Sequence, residues 1–186
     1  MPLAVLALGL VSVALLIGSD GLRRRAVLAD ALRLQATAEI EAGVATSHLW
    51  LEEHLSDDHV DLGEISAGLE RAHELVAAML GESHAGHRLA IPPREDGLRR
   101  RAAELEASIT ELRSLAAERR LGHDRGLPAG IGSALDVEHD RIFARLLAET
   151  RSLEAALEDR LRRRQESSRL ALVAIVSAWS LIVVVA

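Results

Sequence analysis

Two uncharged, almost wholly apolar runs stand at the ends of the chain, Leu3–Gly18 and Leu170–Ala186, with a charged middle between them. A helix that crosses a bilayer needs about 20 apolar residues, with a lower limit near ~17. The second run meets that limit, and the first meets it once Ser19 and its neighbours are added. Bracketing a charged middle, the pair predicts two transmembrane helices, at 1–19 and 170–186, rather than two buried core helices. The first run lacks the basic start and small-residue cleavage site of a secretory signal peptide, so it reads as an uncleaved anchor. The second stops within its span at Ala186, as expected if an output module follows it in a longer protein. Arg23–Arg25 after the first run, with Arg160, Arg162, Arg163, Arg164 and Arg169 before the second, would place the middle in the cytoplasm by the positive-inside rule. A domain of this length translocates largely regardless of charge, and the opposite flanks are almost missing. The architecture therefore favours a middle domain on the side of the membrane away from the cytoplasm. The arginines then face lipid phosphates at the membrane surface.

Composition makes the middle helical. Ala, Leu, Arg and Glu dominate, all strong helix formers. There is no cysteine, which removes disulfide scaffolds, thiolate metal sites and cysteine nucleophiles. Aromatic residues make up 2% of the chain (Trp50, Phe143 and Trp179), too few for base-stacking surfaces on nucleic acid. All 22 basic residues are Arg and the net charge is −6, so no nucleic-acid partner is expected.

Pro92, Pro93 and Pro128 fall in two Gly-rich polar stretches, 81–97 and 122–132, which interrupt the helical pattern. A third break lies at Ser56–Asp58, after which Asp61 and Glu64 have capping-box spacing. Helices are thus expected over 20–56, 61–82, 95–122 and 134–169. The first and last are of matching length, on the order of 54 Å, and each runs into an apolar end. The fold class is all-α, an up-down-up-down four-helix bundle over 20–169 whose outer helices continue into the membrane. Apolar stripes agree: Leu28, Leu32, Ala36, Ile40, Val44, Leu51 and Leu55 on the first helix, and Leu62, Ile65, Leu69, Ala72, Val76 and Leu80 on the second. The third carries Leu98, Ala102, Leu105, Ile109, Leu112 and Ala116, and the fourth Leu135, Ile142, Leu146, Leu153, Leu157 and Leu161.

Polar residues that break such stripes are the candidates for function. His139 interrupts the fourth stripe, with Asp136 one turn before it on the same surface. His48 continues the Ile40–Val44 row, with Glu52 one turn on. Counted from Asp20 on one helix and Arg169 on the other, these four residues occupy neighbouring layers. Imidazole and carboxylate together suit a divalent transition metal such as Zn, Ni, Cu or Fe. Protonated histidines with Arg119, on the third stripe, would instead suit a small anion. A satisfied interior His–Asp pair is the bland reading of the same residues. Weaker candidates are Glu70-x-x-His73, whose spacing matches di-iron bundles but whose Glu lies off its stripe, and His84-x-x-His87, read as solvated loop histidines. No Ser/His/Asp order, P-loop or Gly-x-Gly-x-x-Gly occurs, so no enzymatic activity is expected of this chain.

The order of short anchor, helical domain and second span resembles the sensory input half of bacterial sensor histidine kinases and chemoreceptors. Within it, Ser47-His48-Leu49-Trp50-Leu51-Glu52-Glu53 and Gly130-Ile131-Gly132-Ser133-Ala134-Leu135-Asp136, with Asp140 and Phe143, are similar to segments of periplasmic four-helix sensor domains. The resemblance implies a ligand-sensing domain, a homodimer, a two-component or chemotactic pathway, and a displacement of helices passed across the membrane. It also implies that any kinase activity belongs to a separate C-terminal module, since no such segment is present here. The alternative reading is a di-metal carboxylate/His four-helix bundle with a storage or redox role.

Overall fold

The computed structural model describes residues 2–56, 62–82 and 88–185; the side chains of 2–20, of most of 172–185 and of a few other helical positions lie outside that description. The described residues form four α-helices and no strand: α1 Pro2–Leu55, α2 Leu62–Leu80, α3 Asp96–Asp124 and α4 Ala134–Val185. Of the two spans expected at 1–19 and 170–186, residues 2–19 and 170–185 are helical backbone whose side chains are mostly undescribed. Among the described residues no helix is long and apolar enough to cross a membrane. Asp61 of the expected capping box, His84 and His87 also lie outside the described residues, as do the side chains of Leu62, Glu64 and Ile65.

The chain divides into two compact units, Leu32–Leu157 and a second made of Met1–Ala31 with Glu158–Ala186. In the first, side-chain pairs fix the order and direction of the helices. Arg71 meets Glu39 at 3.5 Å, joining α2 to α1. Glu70 with Arg113 and His73 with Glu106 join α2 to α3. Glu111 with Arg145, and Arg101 with Ser152, join α3 to α4. Glu41 with Arg151 returns from α1 to α4. Glu70–Arg113 with His73–Glu106, and Glu111–Arg145 with Arg101–Ser152, run in opposite directions along their helices, as do Glu39–Arg71 with Gly43–Gly68 and Glu41–Arg151 with His48–His139, so neighbours are antiparallel, as an up-down-up-down bundle requires.

The core follows the stripes. Ile40, Val44, Val76, Leu105, Ile109, Leu146, Leu153 and Leu157 are wholly buried. Each such side chain contributes roughly 1.5–3 kcal/mol relative to leaving it in water. Three additions widen the α2 face, Leu75, Ala78 and Met79. One expected member is corrected: Leu28 is 59% exposed, and it lies in the part of α1 that belongs to the smaller unit, outside the Leu32–Leu157 core. The connection after α2 is held rather than loose. Ile91 is buried and its N–H donates to the Met79 carbonyl at 2.7 Å. Arg99 reaches the carbonyls of Leu80 and Ile91, while Arg33 of α1 reaches those of Leu89 and Ala90. Thus the two prolines end the helical pattern where Ile91 turns inward and caps the core.

Helices α1 and α2 come into backbone contact at Gly43 and Gly68. A Cβ at Gly68 would stand 2.6 Å from the Gly43 carbonyl oxygen and against Ser47 Oγ, so only a hydrogen fits there.

In the smaller unit, Asp30 is fully buried and accepts from Arg164 Nη1 at 2.5 Å, with Arg160 Nε at 3.3 Å. Arg164 also donates to the Ala26 carbonyl. Two of the arginines expected to face lipid are therefore engaged within the protein, because a buried carboxylate requires a cation and donors around it. Arg162 and Arg163 are exposed and pair with Asp159.

Candidate functional site

The polar residues singled out on the stripes lie together in the Leu32–Leu157 unit, in a layer built from α1, α3 and α4. Arg119, on α3, is fully buried. Its Nη1 donates to Glu52 Oε1 at 2.6 Å and its Nη2 to Asp136 Oδ1 at 2.6 Å. The second oxygen of Glu52 lies farther away, at 3.5 Å from Nη2. Nε points to the Ala129 carbonyl at 3.4 Å, which ties the α3–α4 connection into the layer. Charge-assisted bonds of this length are the strong ones, and a buried guanidinium requires them.

Local sequence places Asp136. Ser133 precedes the first residue of α4, and its Oγ accepts from the Asp136 N–H at 3.1 Å, satisfying one of the free donors at the helix start. Asp136 Oδ2 in turn accepts from the Gly132 N–H at 2.7 Å. Gly132 has φ +83°, the left-handed region that glycine enters without strain. Asp136 is thus saturated by Arg119 and the turn before it.

One turn farther along α4, His139 is 1% exposed. His48 of α1 stacks on it with ring centroids 5.1 Å apart and planes at 11°. On its other contact His48 stacks against Phe143 at 4.1 Å. His48 Nε2 lies 4.0 Å from Asp140 Oδ1. The Nδ1 atoms of both His48 and His139 are buried without a hydrogen-bond partner. Burial, followed by the nearby Arg119 and His48, pushes the His139 pKa down from 6.5 to about 3. At neutral pH this ring is therefore uncharged, with a lone pair on one nitrogen.

Donor atoms of His48, Glu52, His139 and Asp140 come within 4.8 Å of one another. This group differs at one position from the metal set expected from sequence, His48, Glu52, Asp136 and His139. Asp136 turns toward Arg119 and the α4 turn, and Asp140 stands beside the histidines in its place. Arg119 faces two carboxylates, so the free cation that the anion reading needs is already neutralised. Elsewhere, Glu70 is paired with Arg113 on the bundle exterior, and His73 lies 3.9 Å from Glu106, so Glu70-x-x-His73 does not converge with this layer.

Asp140 and Phe143 complete the layer. Phe143 follows His139 by one turn and was accessible by that spacing alone. Asp140 lies 100° round the helix from His139 and is 61% exposed, which is why its stripe position gives no signal. A second signal was available in Ser133-x-x-Asp136, a helix-start pattern that aims Asp136 back at the preceding turn. No family model, curated protein or solved structure matches the chain.

Proposed function

We propose that the chain is the input half of a bacterial transmembrane signalling receptor, a histidine kinase or chemoreceptor, with a ligand layer at His48, Glu52 and His139 that the Arg119–Asp136 pair holds in place. In this reading residues 1–19 and 170–186 are transmembrane helices, residues 20–169 lie outside the cytoplasm, and two copies pair in the membrane. One observation carries the reading. The polar layer bridges α1 to α4, the two helices that also hold the apolar runs at either end of the sequence. A ligand that binds one packing of α1 on α4 better than another shifts the balance between them by its difference in affinity. A tenfold preference supplies about 1.4 kcal/mol. Displacements of about 1–2 Å are the size that packed helices transmit. The chain performs no chemistry in this account. A storage or redox bundle needs carboxylates converging from all its helices, and the donors gathered within 4.8 Å come from α1 and α4, which favours sensing.

Topology tests the reading most simply, because the chain has no cysteine of its own. Val137 is 64% exposed and precedes His139 by two residues. The Val137→Cys chain should sediment with membranes and react in intact cells with a maleimide that does not cross the inner membrane. A chain found in the soluble fraction, or labelled only after lysis, would contradict the proposal.

A further inference from the structure

We propose that His48, Glu52, His139 and Asp140 form a mononuclear site for a divalent first-row transition metal ion, bridging α1 and α4. The inference rests on the reading of this layer as a ligand site and names the ligand class it takes. Four independent observations support it. The donors are two imidazoles and two carboxylates, a set suited to zinc, cobalt, nickel or iron and poorly suited to magnesium or calcium, which prefer oxygen alone. Their atoms lie within 4.8 Å of each other. Ligands about 2.0–2.2 Å from a tetrahedral ion stand roughly 3.4 Å apart, so side-chain rotation closes the difference. His139 is 99% removed from solvent by the count of 1% exposure, yet its Nδ1 has no partner, and the same holds for His48 Nδ1. Buried polar nitrogen without a partner is costly, and a layer with two such rings facing carboxylates has unmet bonding capacity. Charge agrees as well. The layer holds one guanidinium, Arg119, paired with Glu52 and Asp136, and a third carboxylate, Asp140, beside the histidines, leaving two negative charges that a divalent cation balances and an anion does not.

Arg119 sets the position of Glu52. It holds Oε1 at 2.6 Å and leaves Oε2 at 3.5 Å, so Oε2 keeps lone pairs for a metal. The rings are stacked nearly parallel, at 11°, whereas two nitrogen lone pairs aimed at one ion must converge. Loading therefore turns His48 away from His139 and Phe143, with the half-exposed edge of the layer giving way. The loaded and unloaded layers differ in how α1 packs on α4, which is the difference a sensor needs.

The full chain, purified in detergent and stripped with EDTA, is titrated with Co2+ and then with Zn2+. The expected result is one ion per chain, a visible cobalt spectrum of a four-coordinate nitrogen–oxygen site, displacement by Zn2+, and no displacement by Ca2+ or Mg2+. Asp140→Asn alters a side chain that is 61% exposed, so the fold survives, and affinity falls about tenfold or more. His48→Gln does the same. Glu138→Gln, on the neighbouring exposed surface of α4, leaves binding unchanged. A folded chain that gives no cobalt spectrum overturns the site, as does equal affinity in wild type, Asp140→Asn and His48→Gln. The outcome is separable from the labelling of Val137→Cys. Metal bound by a chain found in the soluble fraction keeps the site and removes the receptor reading. No metal bound by a chain labelled from outside removes the site and keeps the receptor reading.

Discussion

Arg119 and His139 sit a few residues' contacts apart and solve burial in opposite ways. Arg119 donates to Glu52 and to Asp136 at 2.6 Å each, whereas His139, without a hydrogen-bond partner at Nδ1, gives up its proton. Its pKa falls from 6.5 to about 3, so the unfolded chain binds this proton more tightly than the folded one. Stability is therefore fully present above pH 6.5 and falls as the pH is lowered toward 3, by at most about 1.4 kcal/mol per pH unit from this group. Urea unfolding with EDTA present should show that slope, and His139→Leu should reduce it between pH 6 and about 4; an unchanged slope would mean that His139 protonates freely. His139, His48 and Arg119 were legible in the sequence as polar residues in apolar helical rows, and Asp136 and Glu52 as carboxylates one turn from the histidines. Which carboxylate joins the histidines was not. Stripe analysis ranks residues by depth, and Asp140 lies at the exposed edge, while the deeper Asp136 is drawn off by Ser133, Gly132 and Arg119.

At the scale of elements, the helices follow from periodicity and from the prolines. Elements expected at 61–82, 95–122 and from 134 onward are found at Leu62–Leu80, Asp96–Asp124 and from Ala134. Helix α3 passes Gly122 by two residues because that glycine is buried against Ala129, so its lack of a side chain serves packing and not termination. The contact between α1 and α2 was not legible. Gly43 and Gly68 lie far apart in sequence, and single glycines inside helical patterns do not announce each other. Gly68→Ala decides what they do. Helix propensity alone would favour alanine by roughly 1 kcal/mol, but its Cβ would stand 2.6 Å from the Gly43 carbonyl oxygen. Forced separation of packed elements costs about 1–3 kcal/mol. Net destabilisation in thermal or urea melts is the expected result, and a stabilised Gly68→Ala would show that the helices are not this close.

For the whole molecule, the central claim is that an ion in the His48–His139 layer changes how α1 packs on α4. Glu41 and Arg151 report on that packing, since they face each other across the two helices at 3.4 Å and take no part in the layer. The chain's lack of cysteine lets nitroxide labels be placed at Glu41→Cys and Arg151→Cys alone. The deciding measurement is the dipolar broadening between these labels in the full chain, with EDTA and then with saturating Zn2+, which is diamagnetic and leaves the labels unperturbed. The account predicts a change in broadening on adding Zn2+ that disappears in the Asp140→Asn background. Identical spectra with and without bound Zn2+ would contradict it.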